Sequence, residues 1–256
     1  MPKACDTAFC SLCARAVLSR VGKARALMAP AARGGDVEPV HDLRVASRRL
    51  RAALALFEPC LPASARRWRK EVRRITRALG QARDLDVQIE ALQSAMTKRP
   101  AWAAGLKGLS VNLTGRRLAA QRKVVQALAR AGQSGLYDRI EASLTPMAEA
   151  APAQAPAGKA AFRRAGKMIL ALLADLEQYE ADLARPEATD RHHRMRIAAK
   201  HLRYSLEAFE PMYGRSLRPA IQAAKRMQSL LGDVHDGDVW ESLLAEFSAG
   251  LPAKGP

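Results

Sequence analysis

The chain repeats itself, and the repeat constrains everything else. The segment His41-Asp42-Leu43-Arg44-Val45-Ala46-Ser47-Arg48-Arg49-Leu50-Arg51 recurs as His193-Arg194-Met195-Arg196-Ile197-Ala198-Ala199-Lys200-His201-Leu202-Arg203, an offset of 152 residues. The likeness runs on from Phe57-Glu58-Pro59 to Phe209-Glu210-Pro211, giving nine identities over the 19 positions from His41 to Pro59. At the same offset, Leu79-Gly80-Gln81-Ala82-Arg83-Asp84-Leu85-Asp86-Val87 is answered by Leu231-Gly232-Asp233-Val234-His235-Asp236-Gly237-Asp238-Val239, with five identities in nine. Nothing is inserted or deleted on balance between the blocks, so each half is expected to build the same supersecondary unit. A Pro/Ala-rich stretch at about 148–158 cannot continue a helix smoothly. The expected organisation is a single domain of two halves, about residues 1–147 and 159–250, joined by this connector.

Periodicity identifies the unit as helical. His41, Arg44, Arg48 and Arg51 are spaced by three, four and three, which places them on one helix face. Leu43, Ala46, Leu50, Ala53 and Phe57 keep the same rhythm two residues later, about 200° around the axis. The next block behaves alike: Arg66, Lys70, Arg73 and Arg77 form a basic stripe, and Trp68, Val72, Ile75 and Leu79 an apolar one. Pro59 and Pro62 separate the two helices, so an antiparallel hairpin with adjoining basic stripes is expected. Gly80 is expected to end or bend the second helix. With aromatic residues at only 5% and Ala, Leu and Arg abundant, the whole chain reads as all-α.

The formal net charge of +17 favours anionic partners. Residues 41–84 hold 12 Lys/Arg against 4 Asp/Glu, and residues 193–236 hold 8 against 4, so these two segments carry most of the excess. A solvated helix face normally alternates in sign, whereas like charges one turn apart destabilise a helix by a few tenths of a kcal/mol per pair. An anion bridging them reverses that sign. Arginine outnumbers lysine 31 to 11, which suits forked hydrogen bonding to phosphate oxygens.

Other classes fit less well. The longest stretch without a charged residue is nine, Ala150 to Gly158, with two prolines in it, so no membrane partner is expected. Asp6 and Arg15 interrupt the apolar N-terminal segment, a poor signal peptide, and a cytoplasmic location is expected. Cys10 and Cys13 have C-x-x-C spacing, but no second pair accompanies them or Cys5 and Cys60. They are read as small apolar residues in a reducing compartment, with no metal and no cofactor.

The string Val40-His41-Asp42-Leu43-Arg44-Val45-Ala46-Ser47-Arg48-Arg49-Leu50-Arg51-Ala52-Ala53-Leu54, its weaker second copy and the Leu-Gly-x-x-[Arg/His]-Asp-x-Asp-Val block resemble the CHAD family of α-helical domains. The likeness spans nearly the whole chain. It implies two pseudo-symmetric four-helix bundles packed as one compact domain, whose basic residues face a central cleft or pore that binds inorganic polyphosphate. It also implies an association with polyphosphate granules. By position in the motif, the anion-binding residues carry over to His41, Arg44, Arg48 and Arg51, and to His193, Arg196, Lys200 and Arg203. Arg73 and Arg74, with Lys225 and Arg226, are extensions. Arg49 and His201, and the stripe residues Arg66, Lys70 and Arg77 with Arg218, complete the expected set. The second half departs from the pattern where Arg49 is answered by His201, Lys70 by Gln222 and Arg77 by Ser229, and is expected to contribute less.

No catalytic residues are assigned. Glu58, Asp84 and Asp86, with Glu210, Asp236 and Asp238, are read as partners that orient arginines or cap helices. Two alternatives stay open. General nucleic-acid binding would use the same stripes, although Trp68 and Trp102 are the main stacking candidates and no helix-turn-helix, zinc finger or RNP-like string is present. A histidine-based role would make His41 and His193 metal ligands or phosphate acceptors, although no P-loop or H-E-x-x-H accompanies them.

Overall fold

The computed structural model describes residues 6–152 and 158–249, so Cys5 and most of the Pro/Ala connector lie outside the described residues. Helix α1 (Thr7–Ala26) starts at Asp6, whose carboxylate accepts the Ala8 N–H at 3.0 Å and satisfies a first-turn donor. After the short α2 (Met28–Arg33), Gly34 and Gly35 turn the chain at φ 69° and 90°, in the region where a Cβ is strained. Helix α3 (Glu38–Leu56) carries the first basic block and has its proline in the first turn, where a missing N–H costs nothing. A 3₁₀ turn at Glu58–Cys60 leads to α4 (Ala65–Lys98), which at 34 residues runs about 50 Å. Helices α5 (Ala103–Gln133) and α6 (Leu136–Glu149) complete the first half. Helices α7 (Lys159–Glu177), α8 (Thr189–Tyr213) and α9 (Arg218–Ala249) follow.

The described residues are all-α, and the chain divides into two compact units, Met1–Pro156 and Ala157–Pro256. In the first, α4 is the spine against which α3, α5 and α6 pack, and α1 packs on α3 and α6. Its core contains Leu43, Leu50, Phe57, Trp68, Val72, Ile75 and Leu79 from the repeated blocks, closed by Leu113 and Val124 of α5 and Ile140 of α6. In the second, α8 lies between α7 and α9, with Leu176, Met195, Ala199, Leu202, Leu206 and Leu231 at the centre.

Among the described residues the first unit has six α-helices and the second three, not four and four. The repeat extends only over α3–α4 and α8–α9, so it carries no information about the helices around each hairpin. Gly80 does not end its helix. It sits within α4, which continues for 18 residues beyond it, because packing on three sides outweighs the roughly 1 kcal/mol a mid-helix glycine costs.

Candidate functional site

The two hairpins share one register, in which two contacts recur at the repeat offset. In α3–α4, the Arg44 guanidinium lies over Gly80, its Nε 4.0 Å from where a Cβ would stand, and pairs with Asp84 at 3.1 Å. Near the turn, Glu58 takes Arg66 at 2.6 Å and Arg69 at 2.7 Å. In α8–α9, Arg196 Nε lies 3.8 Å from the Cβ position of Gly232, and Glu210 takes Arg218 at 3.2 Å. The glycine in each copy thus marks where the first motif arginine crosses the neighbouring helix. Midway along the first hairpin, the Thr76 hydroxyl donates to Ser47 Oγ at 3.2 Å. Ser47 is buried and Ala46 only half-buried, so the inward face is rotated by one residue there relative to the expected apolar stripe.

This register sets Arg48 and Arg51 of α3 level with Arg77 and Arg73 of α4 along the hairpin, but the two stripes do not line one groove. They differ in exposure. His41, Arg44, Arg48, Arg49 and Arg51 are half-buried, and Nδ1 of His41 points into the protein. Lys70, Arg73, Arg74 and Arg77 are exposed, and with Ala78, Gln81 and Lys123 of α5 they line an open groove of about 470 Å³. No carboxylate lines it, and none of its five cations is ion-paired among the described residues. Sequence reasoning missed Lys123, because α5 lies outside the repeat. The available signal was that α5 holds six Lys/Arg and no Asp/Glu.

The remaining expected residues are placed less favourably for a free anion. Arg66 and Arg218, though exposed, are held by Glu58 and Glu210. The Arg66 hydrogen bond, with Arg69 adding its charge, keeps the Glu58 carboxyl below its ordinary pKa against a smaller opposing effect of burial. Lys200 is buried, contrary to its place on an expected anion-facing stripe, because Met195, Ala199 and Leu202 draw that part of α8 into the core. Arg203 is half-buried, stacked 4.8 Å over the Tyr204 ring and 3.6 Å from Glu207. His193 and Arg196 are half-buried, and His201, Lys225 and Arg226 are exposed. Asp84 and Glu58 act as arginine partners, as does Asp86, which is buried and ion-paired to Arg117 of α5.

Among the described residues the cysteines carry no assembled metal site. Cys13 is buried and Cys60 half-buried, and neither forms a disulfide. Cys10 is disulfide-bonded, which departs from the expectation of reduced side chains throughout. Among the described residues no group of three or more His, Cys, Asp or Glu is arranged to hold a metal ion, and no helix is long and apolar enough to cross a membrane.

A family model described as the CHAD domain matches residues 15–245. Among solved structures, the chain is similar to the crystal structure of the CHAD domain from the plant Ricinus communis, at 25% identity and a TM-score of 0.73, covering 99% of this chain and 84% of that one. It also shares its fold with PptA from Streptomyces chartreusis, at 18% identity and a TM-score of 0.60, covering 96% of this chain and 88% of that one. No curated protein matches the chain.

Proposed function

The chain belongs to the CHAD domain family, and on that premise we propose that it binds inorganic polyphosphate non-covalently, without catalysing its turnover. The observation that carries this reading is the α4–α5 groove, where Lys70, Arg73, Arg74, Arg77 and Lys123 converge without a neutralising carboxylate. Successive charges on one helix face stand about 5–6 Å apart, so a linear polyanion relieves several repulsions at once where a single orthophosphate relieves one. Arginine forks grip two phosphate oxygens each. The half-buried Arg48 and Arg51 extend the same field along α3.

The absence of aromatic side chains from the groove lining favours polyphosphate over single-stranded nucleic acid, since base stacking needs a ring. Trp68 is in the core, and Trp102, half exposed with the Arg99 guanidinium 4.6 Å from its ring centroid, lies outside the groove lining. A binder of this kind acts where polyphosphate accumulates, at cytoplasmic polyphosphate granules.

Affinity for long-chain polyphosphate, measured by gel shift across a salt series, is expected to fall steeply with salt. Orthophosphate at equal phosphate concentration should compete poorly, and single-stranded DNA more weakly than polyphosphate. Salt-independent binding, stronger competition by DNA, or steady phosphate release that an Arg77→Ser change abolishes would overturn the reading.

A further inference from the structure

Helix α4 and its repeat α9 differ in what covers them. In the first unit α5 packs along α4, and Ala78, Ala82 and Leu92 are only 9%, 0% and 3% exposed. The matched residues of α9 are Leu230, Val234 and Leu244, which are larger or equal in size and 68%, 50% and 44% exposed. The polar pattern is open in the same way. Buried Asp86 receives Arg117 from α5, whereas Asp238, its half-buried match, has no ion pair among the described residues. From Met227 to Ala249 the sequence has five acidic residues and no Lys or Arg. The occupant of this face must therefore bring apolar side chains and a cation, as α5 does for α4.

The outer face of α5 has that chemistry. Val111, Leu118 and Val125 are exposed at seven-residue spacing, with exposed Gly115 and Arg122 between them and exposed Ala129 one turn beyond. Seven-residue spacing with small residues interleaved is the pattern of a helix–helix seam. A single row holding two valines and one leucine is too narrow for a lipid surface. Both open rows span 14 residues, about 21 Å. Pairing α9 with α9 would oppose acid to acid, and α5 with α5 would oppose base to base, so complementarity selects α5 on α9.

We propose that α5 of one copy packs antiparallel, by its outer face, on α9 of a second copy. Arg122 then reaches Asp238 as Arg117 reaches Asp86 within the first unit, Leu244 seats over Gly115 and Leu230 over Ala129. The contact is heterologous, so each added copy leaves one α5 face and one α9 face open and assembly continues beyond the dimer.

Sedimentation velocity over a concentration series, without polyphosphate, tests this. The wild-type chain should grow past dimer with concentration and less so at high salt. Leu118→Glu and Val234→Glu should each weaken association at least about tenfold. Mixed in equal amounts they should form dimers and nothing larger, because one intact α5 face and one intact α9 face remain. If circular dichroism shows that either variant loses helix, Arg122→Asp and Asp238→Arg serve instead: each alone should dissociate, and the mixture should reassociate. A wild-type chain that stays monomeric at every concentration, or mixtures that never reassociate, overturns the proposal.

Discussion

In the first unit, α4 presents Lys70, Arg73, Arg74 and Arg77 to a groove that α5 completes with Lys123. In the second, the matched positions on α9 are Gln222, Lys225, Arg226 and Ser229, and α9 packs on α8 and the 3₁₀ turn at Gly214–Leu217. What the two hairpins share is internal: an arginine laid over a glycine, and a glutamate at the turn that holds an arginine of the next helix. What they do not share is the outward charge. The comparison teaches that the repeat encodes a hairpin scaffold, and that anion capacity is added to it position by position.

The largest contrast is expected at Arg48 and Lys200, which match in sequence and differ in burial. Lys200→Glu should destabilise the chain by about 3–5 kcal/mol, because it places an uncompensated charge in a buried, partnered position. Arg48→Glu, on a half-buried face, should leave the thermal melt within about 1 kcal/mol of wild type and weaken polyphosphate binding instead. Thermal melts by circular dichroism read the first effect and gel shifts the second. Equal melts for both would erase the contrast.

Next in size is Lys123. Its reversal to Glu puts a carboxylate among four cations and should weaken polyphosphate binding on the order of tenfold, with an unchanged melt. The control is Lys107→Glu on the same helix, outside the groove lining, for which a much smaller change is expected. Equal losses would mean that α5 acts through its overall charge and not through the groove.

The smallest effect sharpens the shared part of the scaffold. A Cβ at Gly80 or Gly232 would meet the neighbouring arginine at 4.0 or 3.8 Å, ordinary contact and not a clash. Gly80→Ala and Gly232→Ala should therefore each stabilise by about 0.5–1 kcal/mol through helix propensity. Destabilisation of one and not the other would show that the two crossings are not equivalent.

The hairpins and their stripes were legible because a helix that buries one face must repeat its apolar residues every three to four positions, and Trp68, Val72, Ile75 and Leu79 all prove buried. Glycine was misleading, since as a local signal it punctuates helices while here it sits inside one, beside an arginine of the neighbouring helix. The burial of Lys200 was not legible from its match to Arg48, because burial depends on what packs over a helix and not on its own period. Lys123 escaped for a related reason: it joins the site through the packing of α5 on α4, a contact between segments that share no repeated pattern.

The central claim is that the free cations of α4 hold the polyanion, and exchanging the two copies' own residues tests it. Lys70→Gln with Arg77→Ser gives α4 the side chains α9 carries at Gln222 and Ser229, all at exposed positions, so the fold should be unaffected. The affinity for long-chain polyphosphate, measured across a salt series, should fall at least about tenfold, and the slope of log affinity on log salt should become shallower by about 1.5. The reciprocal Gln222→Lys with Ser229→Arg should strengthen binding and steepen the slope. An unchanged affinity and slope for the first variant, with its helical signal intact, would contradict the account.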